Sequence, residues 1–143
     1  ILAGRRLNDS MGVYVASQLI KTMKKKLIYI KDAKILIMGL TFKENCPDLR
    51  NSGVTSVINE LKKYECDLDL YDPWASSIEI QSRYGVKPTT NLLPNSYDGI
   101  VVAVAHNEFK EMGSQEISKL GKKPHVLYDL KYLFSKEESD LRL

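Results

Sequence analysis

The sequence predicts an α/β fold, with a parallel sheet flanked by helices and preceded by a long N-terminal helix. Three observations carry this expectation. Two stretches, Ile35-Leu36-Ile37-Met38 and Gly99-Ile100-Val101-Val102-Ala103-Val104-Ala105, are apolar without polar alternation, the habit of interior strands buried on both faces. Segments of helical period lie between the strand-like segments, as in Val54, Val57, Ile58 and Leu61. The order is a helix followed by alternating strands and helices, which calls for right-handed crossovers and so for a parallel, Rossmann-like sheet.

The first helix is expected from about Leu2 to Leu27. Apolar residues recur there as Leu7, Met11, Tyr14/Val15, Leu19 and Met23, and again as Val13, Ala16, Ile20 and Leu27. Two apolar faces imply burial on two sides, one against the chain's own domain and one against a partner subunit or another domain. Residues 1–30 therefore read as a long helix with a second face to cover and residues 31–143 as the sheet domain. A second helix should start near Asn51 or Ser52, with Ser52 as its cap, and run to Tyr64. Cys66 to Tyr71 alternates apolar and acidic residues, which suits a strand nearer an edge. Asp72-Pro73 stops it, and a helix from Ser76 or Ser77 to about Tyr84 ends at Gly85. Val86 to Asn91 reads as a short strand or an extended connection. After the second apolar run, a helix from about Asn107 to Leu120 should close at Gly121. Val126 to Leu130 forms the last strand, and the charged tail from Ser135 is expected to fray.

Bulk properties narrow the function classes. The 143 residues, net charge +3, suffice for a single domain with a real core. Lys and Arg are scattered along the chain, which argues against nucleic acid. The cluster Lys24-Lys25-Lys26 fits the solvated end of a helix, where cations suit the dipole. No apolar segment is long enough to span a bilayer, and Cys46 and Cys66 have no metal-ligand spacing, so a cytoplasmic protein without membrane contact is the default expectation. The chain opens on Ile1 directly into helical pattern, which suggests a piece of a longer protein.

Chemistry is expected past the carboxyl end of the first strand, in the loop Gly39 to Gly53, because open α/β sheets bind ligands there. Lys43 and Arg50 lie on this loop and Lys131 follows the last strand. Three cations at one rim suit a phosphate or carboxylate. The dinucleotide fingerprint G-x-G-x-x-G is missing, since Gly39 is followed by Leu40 and Thr41. Asp72 either reaches a ribose hydroxyl or caps its turn with Pro73. His106 ends an interior strand, where a hydrogen-bonded scaffold role outweighs a catalytic one. Cys66 reads as core, and Cys46 has no identifiable partner base.

Gly39-Leu40-Thr41-Phe42-Lys43-Glu44-Asn45-Cys46-Pro47-Asp48-Leu49-Arg50-Asn51-Ser52, followed by Asp72-Pro73-Trp74, Ala103-Val104-Ala105-His106-Asn107-Glu108-Phe109 and Tyr128-Asp129-Leu130-Lys131, resembles the carboxyl-terminal, UDP-binding domain of the UDP-glucose/GDP-mannose dehydrogenase family. The branch it most resembles is that of the UDP-N-acetylgalactosamine or UDP-N-acetylglucosamine 6-dehydrogenases of surface polysaccharide synthesis, including capsule and O-antigen. Arg5-Arg6-Leu7-Asn8-Asp9-Ser10-Met11 is similar to the start of the family's central dimer helix. The resemblance implies oxidation of a sugar C6 alcohol to a carboxylate with NAD, through a cysteine on an amino-terminal NAD-binding domain absent from this chain. A fragment of this kind is expected to be inactive alone and to form a homodimer through its first helix. Phe42, Lys43, Lys131 and Arg5 are the implied contacts to a UDP-N-acetylhexosamine, and Arg50 the implied contact to NAD. The competing reading is a stand-alone nucleotide-binding or scaffold module without catalysis.

Overall fold

A computed structural model describes the backbone of residues 2–143 and the side chains of residues 10–143. Helix α1 (Leu2–Lys25) leads into strand β1 (Lys34–Met38), followed by α2 (Val54–Lys63), β2 (Asp67–Tyr71), α3 (Ser77–Tyr84), β3 (Tyr97–Val102), α4 (Asn107–Ser118) and β4 (Gly121–Asp129). A short 3-10 turn (Lys136–Glu138) and β5 (Leu141–Arg142) complete the chain. All strand pairs are parallel, in the order β2-β1-β3-β4-β5. The central strands β1 and β3 come from the two apolar runs, as expected, and the alternating strand β2 lies at an edge.

Strand geometry splits the core in two, because successive side chains point to opposite faces. Ile35, Ile37 and Val101 face one side, with Val15, Leu19, Ile20 and Met23 of α1 and Val54, Val57, Ile58 and Leu61 of α2. Leu36, Met38, Ile100 and Val102 face the other, against Phe109 and Ile117 of α4. Gly12 lets α1 lie close on α2, since a Cβ there would collide with Ser56. Ser76 caps α3 by accepting the Glu79 N–H at 3.4 Å, and Gly85 ends that helix at φ 70°.

Several boundaries differ from the sequence expectation. The two apolar sets of α1 merge into one buried stripe, while Met11, Val13 and Tyr14 are exposed and Leu27 lies beyond the helix, 92% exposed. Ser52 sits one residue before the position that precedes α2, and its hydroxyl oxygen accepts the Val54 N–H at 3.4 Å, as a cap would. Gly53 directly precedes the helix without a side-chain cap bond, and the Ser52 hydroxyl also donates to the Thr41 carbonyl at 3.3 Å. Of the two readings of Val86 to Asn91, a short strand or an extended connection, the structure takes the second. Gly121 does not close α4 but opens β4, opposite Tyr97. The tail does not fray: Glu138 accepts the Ser135 N–H and hydroxyl at 2.9 and 2.7 Å and bonds to Ser114. These contacts bring Leu141 beside Tyr128 as a fifth strand.

Candidate functional site

The loop that leaves β1 is held by the strands beside it. Gly39 has φ 98°, and a Cβ there would come within 2.6 Å of the Val104 Cβ, so only glycine lets the loop pass the segment that follows β3. The Leu40 N–H then donates to Asp72 Oδ2 at 2.7 Å. The Phe42 N–H reaches the Asp48 carbonyl at 2.7 Å, closing the loop on itself. Asn45, at φ 54°, uses the left-handed tolerance of asparagine. Its N–H donates to His106 Nδ1 at 3.0 Å, and its side-chain oxygen accepts the Asn107 N–H at 3.0 Å.

Asp72 and His106 are buried beneath this loop. Their side chains meet at 3.0 Å between Oδ2 and Nε2, and Asp72 Oδ1 accepts the Trp74 N–H at 2.7 Å. Burial pushes the Asp72 carboxyl up, but bonds from His106, Leu40 and Trp74 outweigh it and hold the group below its ordinary range. Both oxygens are therefore occupied, so Asp72 caps its turn and does not stand free for a ribose. His106 is the hydrogen-bonded scaffold that its position suggested, stacked by Trp74 and edged by Phe109.

Lys131 owes its place to Asp129, which is fully buried at the end of β4. Asp129 Oδ1 accepts the Lys131 and Leu133 N–H groups at 3.2 Å each, and Oδ2 accepts that of Phe134 at 3.0 Å. Lys43 and Lys131 thus come from separate strand ends to line one cleft of about 250 Å³. Phe42, Ser52, the start of α2, residues 103–105 and Met11 share its wall, together with one carboxylate, that of Glu44. Neither ammonium is ion-paired among the described residues. A helix N-terminus and two unpaired cations, set against the single carboxylate of Glu44, give the cleft a preference for anions.

Arg50 does not join them. It faces a second, open hollow of about 1090 Å³ beside α3, with Trp74, Ile78, Glu79 and Arg83. Its guanidinium grips Asp48 in a fork, Nε to Oδ1 at 3.0 Å and the second nitrogen to Oδ2 at 3.1 Å. That fork lowers the Asp48 carboxyl and raises the arginine. The expected cluster of three cations is therefore two plus one, because Asp48 turns the arginine away. The side chain of Arg5 lies outside the described residues. Neither cysteine lines either hollow, and burial pushes the Cys66 thiol up to about 11. Asn45 and Asp129 were missed as organisers of the site. An asparagine amid loop residues and an aspartate at a strand end were the available signals.

Residues 36–136 match the model of the UDP-glucose/GDP-mannose dehydrogenase family, UDP binding domain. The chain belongs to this family. It is 56% identical over 143 residues to the UDP-N-acetyl-D-glucosamine 6-dehydrogenase of Pseudomonas aeruginosa, covering 100% of this chain and 34% of that protein. The enzyme of the same name from Salmonella typhi is 53% identical, with the same coverage. The chain thus spans about a third of the length of these relatives. Among solved structures, an NDP-N-acetyl-D-galactosaminuronic acid dehydrogenase from Methanosarcina mazei Go1 matches with TM-score 0.76 and 20% identity, covering 96% of this chain and 28% of that one. A UDP-D-ManNAc dehydrogenase from Pyrococcus horikoshii gives TM-score 0.74 at 23% identity, over 96% of this chain and 31% of that chain. At such identities these likenesses establish the fold. No helix of the described residues is long and apolar enough to cross a membrane.

Proposed function

We propose that this chain is the UDP-sugar-binding and dimer-forming portion of an NAD-dependent UDP-N-acetylhexosamine 6-dehydrogenase, acting in surface polysaccharide synthesis. The observation that carries the proposal is the convergence of Lys43 and Lys131 on one cleft, beside the exposed ring of Phe42 and the start of α2. The two ammonium groups suit a diphosphate, and the Phe42 face suits a base or sugar ring. At about 250 Å³, the cleft is smaller than sites enclosing a whole small ligand, roughly 300–1,000 Å³. It holds part of a nucleotide sugar and leaves the rest projecting. The sugar in the names of the two most similar relatives described above, N-acetylglucosamine, makes UDP-N-acetylglucosamine the substrate to test first.

The fit to a dinucleotide is partial. The turn after β1 lacks the second glycine of a pyrophosphate site, and the contact to NAD that the family resemblance implies is Arg50, which lines the second hollow with its fork held by Asp48. NAD, when bound, accepts the hydride. The chain's own residues bind and orient the sugar nucleotide, and neither Cys46 nor Cys66 lines the cleft. Titration calorimetry with UDP tests the assignment. Binding to the chain, weakened about tenfold or more by Lys43→Ala as expected for a lost charge-assisted bond, supports it. No binding, or binding indifferent to both Lys43→Ala and Lys131→Ala, overturns it.

A further inference from the structure

His106 touches no cleft, yet it determines the shape of one. Its Nδ1 accepts the Asn45 N–H at 3.0 Å, so that nitrogen carries no proton. In a neutral ring the proton then sits on Nε2, which points at Asp72 Oδ2, 3.0 Å away, with Thr41 Oγ1 at 3.3 Å. The Thr41 hydroxyl donates instead to the Lys43 carbonyl at 3.0 Å. A doubly protonated ring would set one N–H against another at Asn45. The ring is fully buried, with Trp74 at 6.1 Å and Phe109 at 5.3 Å between ring centroids, so it has little freedom to turn.

We infer that His106, as its Nε2–H tautomer, is a positioning residue for the nucleotide cleft, latching the Phe42–Asn45 segment through Nδ1. The inference rests on the UDP reading of that cleft. Both ends of the contact are specific: Asp72 orients the ring, and the ring supplies the one acceptor that meets the Asn45 N–H. Phe42 and Lys43 lie between this latch and the fixed end of the loop at Gly39, so its release loosens the wall of the cleft from one side, leaving the ties from Asn45 Oδ1 to the Asn107 N–H and from the Phe42 N–H to the Asp48 carbonyl.

Two near-isosteres separate the ring nitrogens. In His106→Asn the side-chain oxygen can take the place of Nδ1, whereas in His106→Gln the amide N–H can take the place of Nε2. Long-range nitrogen NMR of the unmodified chain should show the Nε2–H tautomer at His106, and an Nδ1–H signature overturns the inference. Amide exchange at Asn45 should accelerate about tenfold in His106→Gln, for one lost hydrogen bond, and largely recover in His106→Asn. UDP affinity should follow the same order. Equal exchange and equal affinity in the two variants sink the latch while leaving the UDP reading intact. Protection at Asn45 that follows the acceptor, in a chain that binds no UDP, keeps the latch and removes the nucleotide assignment. The tautomer measurement needs no variant, so a variant that fails to fold leaves a decisive readout.

Discussion

Asp72 is the residue whose environment changes most from what its neighbours in sequence suggest. Next to a proline it reads as a turn former, and it does accept the Trp74 N–H, but its other oxygen also gathers Leu40 and His106. Because its carboxyl is held below the ordinary range, the stability it contributes is fully present above about pH 4 and is lost as pH falls through the lowered folded value. Asp72→Asn should cost about 2–4 kcal/mol at neutral pH, the scale of a broken buried charged network. It should also flatten the acid limb of thermal melting below about pH 4. An unchanged acid limb would show that the carboxylate does not act in this way. At this scale the charged residues were legible, since Lys43 and Lys131 sit where strand ends put them. Asn45 and Asp129 were not, because their role depends on which backbone N–H groups come near, and that follows from tertiary contact between segments more than sixty residues apart or from a turn with no distinctive spelling.

Elements differ in how strongly their own residues specify them. Strand β1 is buried on both faces, so its type is plain from composition, and Leu36 at 0% exposure has neighbours that cannot all close over a void. Leu36→Ala should lower the unfolding free energy by about 2–5 kcal/mol. Leu27→Ala, at 92% exposure, should stay within about 0.5 kcal/mol. Urea midpoints of the two variants check this, and similar midpoints would contradict the two-sided burial of β1. Helix α3 was readable at both ends because Ser76 and Gly85 are local cap signals. The tail was not. A stretch as charged as Ser135 to Asp140 has no apolar pattern of its own, and it is ordered by Glu138 bonding Ser114 and Ser135. Those bonds pull the Glu138 carboxyl down to about 2.

For the molecule as a whole, the alternation of strands and helices made the parallel sheet legible, whereas the strand order was not, because right-handed crossovers fix the hand of each connection and not which strands become neighbours. The division of the three cations was not legible, because Arg50 is redirected by a partner only two residues away. Exposed Met11, Val13 and Tyr14 on α1 support association of two copies through that helix. Light scattering should give twice the chain mass, and Tyr14→Lys should shift the population towards monomer; a clean monomer of the unmodified chain at high concentration would refute this. The rims of the sheet bear on the same question. One rim is β2, with Asp67 exposed. At the other, β5 covers only Tyr128 and Asp129 of β4, so the start of β4 forms the rest of the rim; there β4 departs from register between Tyr97 and Gly99 of β3, and the residues that bulge include exposed Lys122, Lys123 and Pro124. Like charges, a distorted ladder and a residue with no amide hydrogen all discourage a foreign strand from docking, so the fold is protected against runaway fibre growth at the places where a flat sheet would invite it.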